Sequence, residues 1–399
     1  MPFHNKYYAA LMFFMVTFGG IGENGWSQPT IPETQIRQKL ESLGKQSPIR
    51  LDYNKHVQAY IDVYTVKRRD HLSRIIGRSE LYFPMFEAYL DKYGLPLELK
   101  YLAIVESALD PRAKSSSGAM GLWQFLFHTS RMFDLEVTSF VDERCDPVKS
   151  TEAACKYLQY LYRNFNDWHL ALAAYNVGIG EVKKAIDKSG KTRFWDLAPY
   201  LPEQARGYVP AFIAANYVMA TYADYNVVPQ KTNFRLYEID SVRVEKNLSF
   251  DQITAAIDLN IDDLSFLNPM FTKNYIPAGE KSIYIALPAV KIPLFIREQK
   301  TMTETLPPQT MNNIPPRGAR KEIYTVQRGE FFHKIAIRHQ CRVEDIMQWN
   351  NLKSQNLRAG QQLVIWVKNP ESRFFFVKSE VEDQLFYTTN ANDQLVVNQ

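Results

Sequence analysis

"GLPLELKYLAIVESALDP" (Gly94–Pro111) decides how this chain folds. Gly94 and Pro96 mark a helix start, and Pro111 stands just past its end. From Leu99 to Val105 the residues are apolar nearly all round, so the pattern predicts a buried helix in an all-α domain. One carboxylate, Glu106, closes that apolar run. Behind it lies "PRAKSSSGAMGLWQF" (Pro111–Phe125), a small, loose Ser/Gly segment ending in an amide, Gln124, set among hydrophobic residues.

A carboxyl at the C-terminal end of a buried helix faces the negative end of the helix dipole and an apolar surround. Both disfavour ionisation and raise its pKa. Such an acid can protonate a leaving oxygen near neutral pH, the useful range being roughly 6 to 7. The "KSSSGA" loop is small enough to admit a bulky polymer, and Gln124 offers a donor and an acceptor to a sugar or peptide amide. Alone, a single Glu at a helix end is more often a solvated surface residue, so the other segments decide.

The chain has 399 residues, 46% of them hydrophobic, enough for a large domain with smaller ones attached. A formal charge of +4 gives no reason to expect a nucleic-acid partner. At the N-terminus, Lys6 precedes an apolar run from Ala9 to Phe18, too short to span a bilayer comfortably. Gly25 and Ser27 follow at a spacing that a signal peptidase reads. The expectation is export, with a signal peptide over residues 1–27; the competing reading is an uncleaved anchor. Three cysteines fit neither a disulfide framework nor a zinc site; Cys145 and Cys155 can pair in an oxidising compartment or remain packed thiols.

Helical periodicity runs from Asp52 to about Tyr225. Within it, Ser150 is expected to cap "STEAACKYLQYLY", and "DWHLALAAYNVGIGEVKKAI" reads as two helices around a turn at Gly178 and Gly180. After about Phe234 short β-like runs flank short helices, and an internal repeat emerges. Val244 on Val326 aligns "VEKNLSFDQITAAIDLNIDDLSFLN" with "VQRGEFFHKIAIRHQCRVEDIMQWN" without a gap, and after a one-residue slip "YIPAGEKSIYIALP" matches "NLRAGQQLVIWV". Two strand–helix–helix–strand units follow. Between them a polar segment with Pro307, Pro308, Pro315 and Pro316 reads as an extended linker.

"ES", "GLWQ", "AAYNVG" and "YVP" occur in the order and spacing of the lytic transglycosylases related to goose-type lysozyme, and this chain resembles that family. The two repeats resemble LysM modules, which one branch of the family carries behind its catalytic domain. The resemblance covers about Asp52 to Val367 and implies a mainly α protein: a lysozyme-like all-α catalytic domain followed by two small βααβ LysM-like modules. The expected layout is a helical extension over 28–80, the catalytic domain over 81–228, and a degenerate LysM-like copy over 238–290. A linker over 291–321, a LysM module over 322–368 and a tail over 369–399 complete it.

What the family does is then expected here position by position. Glu106 matches the sole catalytic acid/base, and Ser107 would orient that carboxylate or the ring-closing sugar. Gly121 and Gln124 match the "GLxQ" segment, the glycine allowing close approach and the amide contacting substrate. Tyr175 and Asn176 match "AYN", whose side chains hold N-acetyl and peptide groups; Tyr208 matches the tyrosine that hydrogen-bonds near the acid. Ser130 and Ile179 depart from the family's usual Gly and Pro, and neither removes a catalytic group. In the second module backbone groups of the loops around Gly329 and Glu330, and Asn350 and Asn351, would hold N-acetylglucosamine polymers. The first copy has Asn247 in place of the glycine, so docking and glycan binding both stay open for it.

The expected activity is cleavage of the MurNAc–GlcNAc bond of peptidoglycan with 1,6-anhydro-MurNAc ends, in the periplasm or at the outer membrane or cell wall, with no metal or organic cofactor. Two rivals remain: a muramidase using water, for which Asp142 or Glu143 is the possible second acid, and an idle cell-wall-binding scaffold. Asp110, before Pro111, reads as a turn residue.

Overall fold

The computed structural model describes residues 31–278, 282–306, 319–339, 341, 343–350, 352 and 356–368. The expected signal peptide, Asn351 and the tail lie outside the described residues. Two compact units emerge, one up to Leu306 and one beyond it.

The first unit begins with α1 (Glu33–Gly44), α2 (Lys55–Asp62), α3 (Arg69–Lys92), α4 (Leu102–Ser107) and α5 (Phe127–Arg131). It continues through α6 (Pro147–Phe165), α7 (Trp168–Val177), α8 (Ile179–Ser189), α9 (Phe194–Leu197), α10 (Glu203–Arg206) and α11 (Tyr208–Thr221). One hydrophobic core joins Ile36 to Val227, and α3 runs unbroken through residue 80, so the expected helical extension is part of the catalytic body and no boundary falls at 80. Helix α11 is buried nearly all round and packs against α2, α4 and α7. Its sequence, "YVPAFIAANYVMAT", has no polar face to turn to water, which is why it takes the centre.

Two local expectations change. Asp146, not Ser150, caps α6: its carboxylate accepts from the backbone N–H groups of Val148 and Lys149, and Pro147 takes the first helical position. Ser150 lies one turn inside and bonds back to the Asp146 carbonyl at 2.6 Å. Between α7 and α8 only Gly178 makes the turn, with φ 86, and Gly180 is already helical.

Downstream, β1 (Ile239–Val244) pairs antiparallel with β4 (Ile283–Pro288), and β2 (Leu248–Ser249) with β3 (Tyr275–Ile276). Helices α12 (Phe250–Ile257) and α13 (Ile261–Leu267) lie between them. The stretch from 291, expected as linker, starts instead with α14 (Ile292–Glu298), whose Phe295 enters this module's core. Residues 300–305 then strap back over the module: Met302 and Lys300 carbonyls accept from Lys246, Thr303 from Gln252, and Thr305 N–H donates to the Asn247 carbonyl. Packing therefore extends to about residue 305.

The second unit holds β5 (Ala319–Thr325), α15 (Phe332–Arg338), α16 (Val343–Trp349) and β6 (Gln362–Lys368), with β5 antiparallel to β6. Both copies are closed by the same asparagine clamp. Asn268 donates to the Leu264 and Ala286 carbonyls and accepts from Ala286 N–H; Asn350 does the same with Ile346 and Val364. The clamp fixes the repeat at an offset of 82 through the helices and 78 in the last strand, where the one-residue slip implied 81. Three further residues have gone from the turn before that strand.

Because each clamp satisfies one amide with three hydrogen bonds, Asn268→Ala and Asn350→Ala should each destabilise their own module by roughly 2 kcal/mol or more. Urea denaturation of each variant against the unaltered protein checks this.

Candidate active site

Helix α4 ends one residue after Glu106, and its exit is tight. Ala108 and Leu109 are both left-handed, with φ 51 and φ 60. Ala108 N–H bonds to the Ile104 carbonyl and Leu109 N–H to the Ala103 carbonyl, which absorbs the free ends of the helix. A non-glycine residue in that conformation costs about 1 kcal/mol, so the turn has to be held from outside. Arg78 of α3 does part of this, donating to the Ala108 carbonyl at 3.2 Å. Asp110 accepts from Arg112 N–H at 2.9 Å, the turn role its place before Pro111 suggested.

Tyr208, at the first turn of α11, donates its hydroxyl hydrogen to Glu106 Oε1. Glu106 is half-buried, so its carboxyl lies in an apolar surround yet stays reachable. Burial pushes its pKa up to about 7, against the opposing pull of the Tyr208 hydrogen bond. Burial and the neighbouring Glu106 charge hold the hydroxyls of Tyr175 and Tyr208 well above their ordinary range, so both remain donors at any working pH.

Several predicted residues shape this site from behind rather than face it. Ser107 is buried and donates to the Ala103 and Leu122 carbonyls at 3.0 and 2.9 Å, tying α4 to the "GLWQ" loop; its hydroxyl is not turned toward Glu106. Tyr175 donates to the Trp123 carbonyl at 2.8 Å, holding the same loop from α7. At Gly121, φ is 85 and a Cβ would stand 1.9 Å from the Arg144 carbonyl oxygen. The close approach this glycine permits is to the chain's own backbone.

Gln124 spends its Nε2 on the Ala113 and Gly121 carbonyls at 3.0 and 2.9 Å, which leaves Oε1 as the atom able to accept from a ligand. Asn176 is 9% exposed, and its Oδ1 has no hydrogen-bond partner among the described residues. A buried, unsatisfied acceptor costs free energy unless a ligand supplies the donor.

The two possible second acids are already spent. Asp142 is 5% exposed and grips the Arg144 guanidinium through both oxygens, at 2.9 and 2.7 Å. Glu143 accepts from Glu136 N–H and pairs with Lys149. Cys145 and Cys155 are separate buried thiols, not a disulfide.

Sequence reasoning missed Tyr157, packed between Phe133 and Tyr175 at ring distances of 5.5 and 5.2 Å. Its hydroxyl is pushed up to about 12 by burial first, then by Tyr160 and Glu106. On α6 it falls in an ordinary apolar face, which gives no sign of what lies opposite.

In the second module, Glu330 accepts from Tyr324 at 2.6 Å and from Gln327 N–H at 2.9 Å, and pairs with Arg338 at 2.8 Å. Burial alone would raise its pKa; those three partners outweigh it and hold the carboxyl low. The side chains of Glu330 and Asn350 thus serve the fold, whereas glycan holding was expected of the backbone groups of their loops. Gly329, with φ 80, makes the turn between them and the strand.

The transglycosylase SLT domain matches residues 84–198, the LysM-like domain of lytic transglycosylase MltD matches 238–304, and the LysM domain matches 324–366. The SLT match and the similarity to lytic murein transglycosylases support a lytic transglycosylase. Membrane-bound lytic murein transglycosylase D of Escherichia coli is 29% identical over 337 residues, covering 83% of this chain and 72% of that one. The soluble lytic murein transglycosylase of the same organism is 32% identical over 143 residues, covering 33% and 22%. Membrane-bound lytic murein transglycosylase F of Maricaulis maris is 33% identical over 159 residues, covering 36% and 32%. In this lytic transglycosylase the SLT match contains Glu106, Gln124, Tyr175 and Asn176, while Tyr208 lies beyond its end.

The raised Glu106 pKa has a signed consequence. Between pH 4.5, its ordinary value, and about 7 the folded state holds a proton that the unfolded state has lost, so stability falls as pH rises through that window. Glu106→Gln should remove this slope and leave the variant up to about 3 kcal/mol more stable at pH 8, read from denaturation curves at pH 4 and pH 8. Tyr208→Phe deletes the one hydrogen bond that favours the carboxylate. The alkaline limb of its activity profile should therefore move to higher pH, with a rate roughly 10- to 100-fold lower.

Proposed function

We propose that this lytic transglycosylase cleaves the MurNAc–GlcNAc bond of peptidoglycan with Glu106 as its single acid/base, leaving 1,6-anhydro-MurNAc ends. One observation carries the reading: a carboxyl with a pKa near 7 stands against Tyr208, and Asp142 and Glu143, the two candidates for a second acid, are held in ion pairs. Glycosidases that use two carboxylates need them about 5 Å apart for retention, or roughly 6.5 to 9.5 Å for inversion.

Protonated Glu106 gives its proton to the glycosidic oxygen as the bond to the muramoyl carbon breaks. The carboxylate so formed keeps the Tyr208 hydrogen bond, which stabilises it as charge develops. The substrate's N-acetyl group relieves the oxocarbenium-like state, and the sixth-carbon hydroxyl closes on the same carbon, yielding its proton to Glu106. The acid is regenerated and no water is consumed. Asn176 Oδ1 and Gln124 Oε1 are the acceptors assigned to N–H groups of the N-acetyl or peptide substituents.

The LysM modules indicate peptidoglycan binding. The second forms a compact unit of its own, and attaching a weak binding module to an enzyme raises the local concentration of its polymer, on the order of millimolar. The site of action is the cell envelope, in keeping with the name of the membrane-bound relative. No helix among the described residues is long and apolar enough to cross a membrane.

Mass spectrometry of soluble products from insoluble peptidoglycan tests the reaction: anhydromuramoyl ends are expected, and reducing ends would mean hydrolysis. Glu106→Gln should abolish cleavage while still pelleting with sacculi. Removal of residues 307–399 should weaken pelleting about tenfold or more while sparing turnover of short soluble strands.

A further inference from the structure

The first LysM-like module does not stand apart from the catalytic domain. Its segment Met270–Thr272 lies antiparallel against the loop Ser139–Asp142, with Val141 opposite Phe271. Asp142 N–H donates to the Met270 carbonyl at 2.8 Å, and Thr272 N–H to the Phe140 carbonyl at 3.0 Å. Thr272 Oγ1 adds a bond to the Ser139 carbonyl at 2.9 Å, and the Phe140 and Tyr275 rings meet at 4.9 Å. Val141, a catalytic-domain residue, is buried in the module's hydrophobic core rather than in its own.

The docked residue Asp142 is also the one that grips Arg144. Arg144 is 5% exposed, and its Nη1 donates to the Gly118 and Phe125 carbonyls at 3.0 and 3.3 Å. Those carbonyls flank the "GLWQ" turn, and Gly121 rests directly on the Arg144 carbonyl. A continuous path of hydrogen bonds therefore runs from the module's edge, through Asp142 and Arg144, to the two ends of the turn that carries Gln124. Meanwhile the module's own β1–β2 loop, around Lys246 and Asn247, is covered by the strap from Lys300 to Thr305.

We infer that the first LysM-like module is a working part of the catalytic centre, and that Arg144 is the positioning residue through which it sets the Gln124 turn beside Glu106. The inference rests on the reaction proposed above. Its energetic logic is that a turn with left-handed Gln124 (φ 49) and Gly121 (φ 85) holds its shape only while its carbonyls are pinned, and a loosened turn misplaces substrate. The module contributes that rigidity even for substrates too short to reach any glycan-binding surface.

Two substitutions test this on the full chain with short, soluble, uncrosslinked glycan strands. Arg144→Lys keeps the charge opposite Asp142 and loses the fork to Gly118 and Phe125; Thr272→Pro, at an exposed position of the module, removes the docking N–H to Phe140 and the Oγ1 bond to Ser139 and leaves Arg144 untouched. Each should lower kcat/KM, by on the order of 10- to 100-fold for Arg144→Lys and about tenfold for Thr272→Pro. The pH at which activity falls should stay put, since burial and Tyr208 set it, and pelleting with sacculi should be unchanged. The double variant should lose little beyond Arg144→Lys alone, because both act along one path. A purely stabilising role predicts lower melting temperatures with full turnover per folded molecule well below them. That result, or strictly additive losses, would overturn the inference. Absence of anhydro ends from the unaltered protein would instead sink the proposed reaction.

Discussion

A carboxyl group placed at the end of a buried helix meets no bulk water on most sides and the negative end of the helix dipole behind it. Glu106 tolerates this by staying protonated up to about pH 7, and its hydrogen-bond partner among the described residues is the Tyr208 hydroxyl. That contact joins the C-terminus of α4 to the N-terminus of α11, two elements a hundred residues apart in sequence, and it depends on α11 filling the centre of the core. The surrounding architecture can be understood as the support that holds these two side chains in register. The long helix α3 backs α4 through Arg78, while Ser107 and Tyr175 tie α4 and α7 to the loop 118–125.

Polar groups around the site fall into two sets with opposite physics. Ser107, Tyr175 and the Gln124 Nε2 group have found backbone carbonyls within the fold, so they stiffen the loop and have no donor left over. Asn176 Oδ1 has found none among the described residues, and a buried acceptor left without a donor costs free energy. The strained exit at Ala108 and Leu109 belongs with the first set. It ends the helix one residue after Glu106, at a cost the Arg78 bond and the buried core offset.

The two LysM copies show one scaffold under different constraints. Both keep the asparagine clamp and the antiparallel strand pair, because these close the small core. In the first copy Asn247 replaces the turn glycine, the strap covers the neighbouring loop, and the edge from Met270 to Thr272 is given to the catalytic domain. The second copy keeps Gly329 in a left-handed turn and forms a unit of its own. Degeneracy in the first copy is thus accompanied by a new set of contacts.

The sequence by itself determined the helical class, the apolar run that buries α4, the repeat with its shared asparagines, and the place of Glu106 at a helix end. Each of these is local, written in periodicity, breakers and spacing. It could not show that Asp146 rather than Ser150 caps α6, because both are good caps and only the backbone path selects one. Nor could it show that Ser107, Asn350 and Glu330 turn inward, or that the strap after residue 291 folds back. Whether a polar side chain faces a ligand or a carbonyl of its own chain depends on which distant backbone lies beside it. Gly121 against Arg144, Tyr208 against Glu106 and Asp142 against Met270 are such meetings of distant segments, and only the tertiary structure decided them.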